Sequence, residues 1–415
     1  MSTSARTTAS ITRLGHQGDG VAEGPLFAPR TLPGEVITGI VDGSALGDIR
    51  IETPSEHRVQ APCRHYKSCG GCQLQHADDG FVAEWKQGIV RNALTAQGLE
   101  TEFRPIHTSP SHSRRRATLA VRRTKKGAMA GFHGRASGVI TQIPDCHLLD
   151  PDLLAAIPMA ENLALIGASR KTPLAVTVTL SDIGLDVLVK NGKPLDGPLR
   201  LSLAQSVEKL GITRLTWDDE QIAMTQPPTQ TFGNAKICPP PGSFLQATRD
   251  GEAALLAAVQ DIVQGAKRIV DLFAGCGTFA LPLAKQAEVL AVEGDPEMIQ
   301  ALEAGWRQAK GLKLVKAVAR DLYRRPMMPD ELNPFGAFYE AAVLDPPRAG
   351  AEAQVAELIE ARTKTIAYVS CNPVSFARDA KVLVEAGYQL NWVQVVDQFR
   401  WSSHTELVAS FTLAD

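Results

Sequence analysis

The chain has 415 residues and a mass of 44.6 kDa, with 44% hydrophobic and 21% charged residues, an ordinary globular composition that excludes a disordered chain. Forty-three Lys and Arg against forty-five Asp and Glu leave a net charge of −2, so any nucleic-acid site has to be local. No apolar run reaches about 18 residues, which excludes a membrane-spanning helix, and the length suits two to four domains.

The first residues, MSTSARTTAS, have no apolar core of a signal peptide, so a cytoplasmic protein is expected. Residues 11–52 then read as short strands separated by turn chemistry at Gly18-Asp19-Gly20 and Leu32-Pro33-Gly34. They predict either a small oligonucleotide-binding type of β-barrel or a β-rich cap without a ligand. Cys63, Cys69 and Cys72 follow as C-x5-C-G-G-C, with Cys146 far downstream. Seven cysteines are too few for a disulfide scaffold, and three within ten residues suggest metal. From spacing, an iron–sulfur cluster and a four-thiolate zinc site stand level; Cys238 is left over. Residues 81–97 repeat apolar positions at helical spacing. From Phe103 to Pro144 there is no acid and there are nine bases: Arg104, Arg114, Arg115, Arg116, Arg122, Arg123, Lys125, Lys126 and Arg135. Such a block predicts phosphate contact rather than a plain solvated face.

Residues 115–143 and 174–190 read as strands, and from about 252 strands alternate with helices, which predicts an α/β domain with a largely parallel sheet. In it, Asp271-Leu272-Phe273-Ala274-Gly275-Cys276-Gly277-Thr278 runs from a strand into a helix, and the next strand ends on Glu293. Glycines there let a ligand approach backbone amides, and a carboxylate at the second strand end suits ribose hydroxyls. This pattern resembles the S-adenosylmethionine site of Rossmann-like methyltransferases. Two later strands end at Asp345-Pro346-Pro347-Arg348 and at Ser370-Cys371-Asn372-Pro373, and His404-Thr405-Glu406 precedes the last strand. Each has a plain structural reading; together, at successive strand ends, they predict one reactive crevice.

These motifs, with Ser243-Phe244-Leu245-Gln246 upstream, resemble the RNA (uracil-5-)-methyltransferase family. The resemblance implies a Rossmann-like methyltransferase domain at 236–415, a central cluster-binding α+β domain at 56–235 and a small TRAM-like β-barrel at 1–55, trimmed in this chain. It leaves the helix over 81–97 as a candidate to pack on the methyltransferase domain. It implies Cys371 as nucleophile and Glu406 as proton-abstracting base, with the thiolate favoured at neutral pH. It implies cofactor contacts at Gln246, Phe273, Thr278, Glu293, Asp321 and Asp345, where Asp321 and Thr278 stand for a more frequent Asn. It also settles the cysteines on a [4Fe–4S] cluster held by Cys63, Cys69, Cys72 and Cys146. The implied partner is RNA, a 23S ribosomal RNA loop carrying the target uridine, acted on by a monomer. The alternatives are an adenine amino-methyltransferase, which D-P-P also suits, and an iron–sulfur RNA-binding module without catalysis.

Overall fold

The computed structural model describes residues 6–24, 26–333 and 338–414. Pro25 and the first five residues, which entered the reading above, lie outside the described residues.

Strands β1 (Arg6–Leu14), β2 (Gly20–Ala22), β3 (Leu26–Ala28), β4 (Val36–Asp42) and β5 (Ala45–Thr53) close a barrel in the order β1-β2-β3-β5-β4. Ile11, Ala22, Ala28, Ile37 and Leu46 fill it. A Cβ at position 20 would lie 2.0 Å from Thr31 Oγ1, so only glycine fits there. The shortness expected from the sequence therefore does not open the barrel. Glu35, fully buried, accepts from the Leu32 amide at 2.9 Å and from Arg58 Nη2 at 2.8 Å, which fastens the barrel to the segment that follows.

Helix α1 (Asp79–Thr95) starts two residues earlier than the apolar spacing predicts, because Asp78 caps it by accepting from the Phe81 amide at 2.8 Å. Its Val90 and Leu94 enter the methyltransferase-side core, and β6 (Glu102–Thr108) pairs in parallel with a strand near the C-terminus. Between residues 56 and 108 the chain thus serves both cores, Cys69 and Cys72 packing on the central one and α1 and β6 on the C-terminal sheet. The central region comprises β7 (Arg116–Arg123), β8 (Ala128–His133), β9 (Ile140–Gln142), α2 (Pro151–Ala155), α3 (Ile157–Gly167), β10 (Leu174–Leu180), β11 (Leu185–Lys190), α4 (Gly197–Lys209), β12 (Ile212–Trp217) and β13 (Glu220–Met224). These strands form a sheet ordered β13-β12-β11-β10-β7-β8-β9, with α3 and α4 packed on it around Trp217. A hairpin, β14 (Gln230–Phe232) and β15 (Ala235–Ile237), leads out of it.

The remaining elements are α5 (Arg249–Ile262), β16 (Arg268–Leu272), α6 (Ala280–Leu283), β17 (Glu288–Glu293), α7 (Pro296–Gln308), β18 (Val315–Ala319), α8 (Pro329–Leu332), β19 (Ala341–Leu344), α9 (Glu352–Glu360), β20 (Thr365–Ser370), α10 (Pro373–Glu385), β21 (Tyr388–Asp397) and β22 (Leu407–Leu413). Their sheet runs β18-β17-β16-β19-β20-β22-β21-β6 and is parallel from β18 to β20. Neighbouring residues of one strand enter opposite apolar layers, Val270 on one side and Ile269 on the other. This two-sided burial is why these strands read as continuous apolar runs. The chain winds outward from β16 to β18, then crosses back to β19 and β20. The reversal leaves a crevice beyond the carboxyl ends of β16 and β19.

Candidate active site

The Gly-rich turn occupies that crevice. Phe273, Gly275 and Gly277 take positive φ angles of 65°, 55° and 92°. A Cβ on Gly277 would come within 2.9 Å of Leu281, so the turn depends on glycine there. Phe273 holds the left-handed conformation without that freedom, at a cost on the order of 1–3 kcal/mol. Glu293, at the end of β17, accepts from the amides of Gly275 and Asp295, both at 3.0 Å, and so bends over the turn. Asp321, just past β18, accepts from the Tyr323 amide at 3.0 Å, and the Tyr323 ring lies 5.5 Å from that of Phe273. Phe273, Thr278, Glu293, Asp321 and Asp345 all line one cavity of about 540 Å³. Tyr323, on the same wall, escaped the sequence reading; its place two residues after Asp321 was the available signal.

Cys371 and Glu406 line this same cavity. Asn372 caps α10 by accepting from the Val374 amide at 3.1 Å, and Pro373 opens the helix. Asn372 Nδ2 and Ser375 Oγ both donate to the Arg348 carbonyl, at 2.8 and 3.0 Å. The Cys371 loop and the Asp345–Arg348 loop are therefore locked together. Glu406 is 3% exposed, which removes the reading of a solvated loop charge.

Burial and Glu293 push Asp345 up to about 7. Burial first, then Asp345, pushes Glu406 well above the usual carboxylate range, against Gln398 and Arg348. Burial, Glu406 and Asp345 also push the Cys371 thiol up to about 11, with Arg348 opposing them. Burial leads and the two acids add to it, so the site as it stands favours the thiol form of Cys371 over the expected thiolate. Arg348 Nη2 donates to His404 Nδ1 at 3.0 Å, which requires a neutral imidazole, and burial lowers the His404 pKa in the same sense.

Gln246 is placed otherwise than at the cavity wall. It is 2% exposed and sits behind Asp345, with Nε2 directed at Asp345 Oδ2 at 3.5 Å. Its Oε1 accepts from Gln398, a buried residue that the sequence reading passed over. A second cavity, about 650 Å³, shares Arg348, Cys371, His404 and Thr405 with the first. Its other walls include His16 and Gln17 from the barrel, Gln73 from the cysteine loop, and Arg135. Cys371 thus faces two spaces. A larger cleft near His112, Asp150 and Arg249 contains none of the motif residues.

All seven cysteines are free thiols. Cys63, Cys69, Cys72 and Cys146 lie near enough for their charges to repel, Cys146 and Cys63 raising the Cys69 pKa and all three others raising that of Cys72, in each case after burial. Among the described residues, no group of three or more His, Cys, Asp or Glu side chains is placed to hold a metal ion, so the structure does not show the four-cysteine cluster that the resemblance implies. Gly70 packs on the end of β8, where a Cβ would meet the His133 carbonyl at 2.8 Å. Cys238 stands apart, 3.6 Å from Arg214 Nη1.

The basic block divides. Arg115 is 2% exposed, donates to the Gln246 carbonyl at 3.0 Å and pairs with Glu252. Arg116 donates to the Gly242 carbonyl at 2.8 Å. Arg104 pairs with Asp261 at 2.8 Å over the Trp392 ring, and Arg135 pairs with Asp19 of the barrel. Arg114 lines the active-site cavity. Arg122, Arg123, Lys125 and Lys126 remain, at the tip of the β7–β8 hairpin, with no ion pair among the described residues. Arg104, Arg115, Arg116 and Arg135 are thus engaged within the fold, Arg114 and Arg135 line the cavities, and the tip carries the four charges without an ion pair among the described residues.

Residues 239–411 match the family described as tRNA (uracil-5-)-methyltransferase. An RNA methyltransferase of Rhizobium meliloti (strain 1021) is 42% identical over 413 residues, covering 97% of this chain and 98% of the relative. The chain belongs to the tRNA (uracil-5-)-methyltransferase family. Among members of this methyltransferase family, the 23S rRNA (uracil(1939)-C(5))-methyltransferase RlmD of Shewanella piezotolerans (strain WP3 / JCM 13877) is 31% identical over 435 residues, covering 99% of this chain and 96% of the relative. The crystal structure of Pyrococcus abyssi tRNA (uracil-54, C5)-methyltransferase, in complex with S-adenosyl-L-homocysteine, shares the fold at a TM-score of 0.75 with 21% identity, over 98% of this chain and all of that one. No helix among the described residues is long and apolar enough to cross a membrane.

Proposed function

We propose that this methyltransferase transfers a methyl group from S-adenosylmethionine to C5 of a uridine in RNA, and that the RNA is 23S ribosomal RNA. The observation that carries the reading is that Cys371 and Glu406 line one cavity with the Gly-rich turn. Glu293 and Asp321 on the side of the Gly-rich turn suit a cationic ligand, and Phe273 beside Tyr323 offers an aromatic wall for an adenine. S-adenosylmethionine supplies the methyl group and a positive charge. Asp345, between the turn and the sulfur, stands where the methyl donor and the base meet. The Cys371 thiol passes its proton to the neighbouring Asp345 carboxylate as its sulfur adds to C6 of uracil, which breaks the ring conjugation and places an enolate's electrons on C5; Asp345 returns that proton when the sulfur leaves. C5 takes the methyl group, Glu406 removes the remaining C5 proton, and re-forming the double bond expels the Cys371 thiolate. The uridine reaches the sulfur through the second cavity, flipped from a loop.

The 31% relative named for 23S rRNA supports the ribosomal substrate, as does the coexistence of barrel and cysteine group. Cys63, Cys69, Cys72 and Cys146 would hold a [4Fe–4S] cluster, with Arg114 near Cys72 and Cys146 to balance its negative charge. Seven free thiols suit a reducing cytoplasm.

The test uses a 23S rRNA fragment containing 5-fluorouridine, whose fluorine blocks the last proton removal. With S-adenosylmethionine, a denaturation-resistant protein–RNA adduct is expected, and none with Cys371→Ala. Full methylation by Cys371→Ala overturns the reading and points to amino-methylation of adenine instead. Methyl-donor binding with no adduct and no methylated product points to an RNA-binding module without catalysis.

A further inference from the structure

Gln398 is 3% exposed at the end of β21 and touches both halves of the site. Its Oε1 accepts from the Ala247 amide at 2.7 Å. A backbone N–H can only donate, so this contact fixes which end of the Gln398 amide is oxygen. Nε2 is therefore turned to Gln246 Oε1 and to Glu406 Oε2, the latter at 3.4 Å. With its own oxygen occupied, Gln246 turns its Nε2 to Asp345 Oδ2. Every donor in the chain Ala247, Gln398, Gln246 points the same way, and the chain ends on two carboxylates, the buried Glu406 and the half-buried Asp345.

We infer that Gln398 is a positioning residue that joins the methyl-donor side of the site to its base, orienting Gln246 toward Asp345 and holding Glu406 with one amide group. The inference rests on Glu406 being the base, and goes beyond it by naming what sets that base. Four groups face Glu406: Asp345 from the end of β19, Arg348 from the loop after it, Cys371 from the end of β20, and Gln398. Asp345 opposes its ionisation, and Arg348 and Gln398 favour it. The Lys86–Asp397 pair next to Gln398 is closed on itself. Of the two groups that favour the carboxylate, Gln398 is the one that donates a hydrogen bond to it.

Gln398→Met keeps the length of the side chain and removes both amide functions. Single-turnover release of free 5-methyluridine RNA from a native-uridine rRNA fragment is followed against pH, together with the fraction of protein trapped as RNA adduct. The expected result is a rate about tenfold lower at neutral pH, a pH midpoint raised by about one unit, and a larger trapped fraction, because proton removal has become the slow step. A merely structural residue would lower the melting temperature and leave the midpoint in place. Should Gln398→Met fail to fold, Gln398→Glu keeps the acceptor for Ala247 and sets a carboxylate against Glu406, with a still larger rise expected. An unmoved midpoint in the variant that folds overturns the inference. Glu406→Gln separates the two claims: if it methylates and releases RNA like the native protein, the base assignment fails and the inference falls with it, whereas an unmoved midpoint in the Gln398 variant beside a Glu406→Gln that traps RNA overturns the role of Gln398 alone.

Discussion

The Lys86 ammonium lies 2.5 Å from the Asp397 carboxylate, across 311 positions of sequence, with both side chains almost wholly buried. Lys86 also donates to the Phe399 carbonyl at 3.1 Å. Helix α1 thus grips the residues on either side of Gln398, in the loop that leads to Glu406. Removing one partner of a buried pair strands the other charge, at about 3–5 kcal/mol. Lys86→Met is expected to lower the urea midpoint of the catalytic sheet by that much and to reduce methylation. An unchanged midpoint would mean that the pair contributes nothing.

The raised pKa of Asp345 has a stability consequence with a definite sign. A carboxyl group whose folded-state pKa is above its unfolded value binds more protons when folded, so stability falls as pH rises between the two. For Asp345 the window runs from about 4 to about 7. Asp345→Asn is therefore expected to stabilise the ligand-free protein at pH 8 by roughly 1–3 kcal/mol and to do little at pH 4, while methylation falls. Equal melting shifts at both pH values would contradict this.

Cys371 with a pKa near 11 should resist alkylation in the ligand-free protein. Iodoacetamide labelling of this residue, read by peptide mass spectrometry, is expected to climb steadily from pH 7 to pH 10. Neutralising a neighbour, as in Asp345→Asn, should move the rise to lower pH. A plateau already present at pH 7 would show a thiolate at rest.

Charge reversal separates the two classes of base in the 103–144 block. Replacing Arg122, Arg123, Lys125 and Lys126 by Glu is expected to weaken rRNA binding and flatten its salt dependence by up to about four charges, without loss of fold. Arg115→Glu should instead unfold the junction between β7 and α5, since Glu252 would face a like charge. An unchanged salt slope for the hairpin variant would remove the tip from the RNA interface.

Cys72→Ser should abolish bound iron and acid-labile sulfide in protein purified without oxygen, while the methyltransferase sheet keeps its fold. Stoichiometric zinc in the native protein, with no sulfide, would assign the thiols to a single ion.

The candidate site was legible because its residues coincide with strand ends: Asp345, Cys371 and Glu293 each close an apolar run, and a parallel sheet gathers such ends on one edge. Gln398 was not legible, since its meaning lies in partners 152 and 8 positions away. The basic block misled for a related reason. Its positive charge is local in sequence, but the acids that neutralise it, Asp19, Glu252 and Asp261, lie outside the window. β6 was missed because its partner strand begins at Tyr388 and nothing in EFRPIHT announces a parallel neighbour. The thiol's protonation depends on burial among acids, which spacing does not encode.

That borrowed edge strand has a consequence for how the enzyme is handled. β6 and α1 are synthesised before the central sheet, yet they complete a layer whose other strands emerge last. A fragment beginning at residue 236 would leave the β21 flank without its backbone partner and the α10 side without Val90 and Leu94, a surface primed for self-association. In the intact chain the flanks of the central region are tied to the C-terminal sheet, by β6 against β21 on entry and by β15 against α7 on exit.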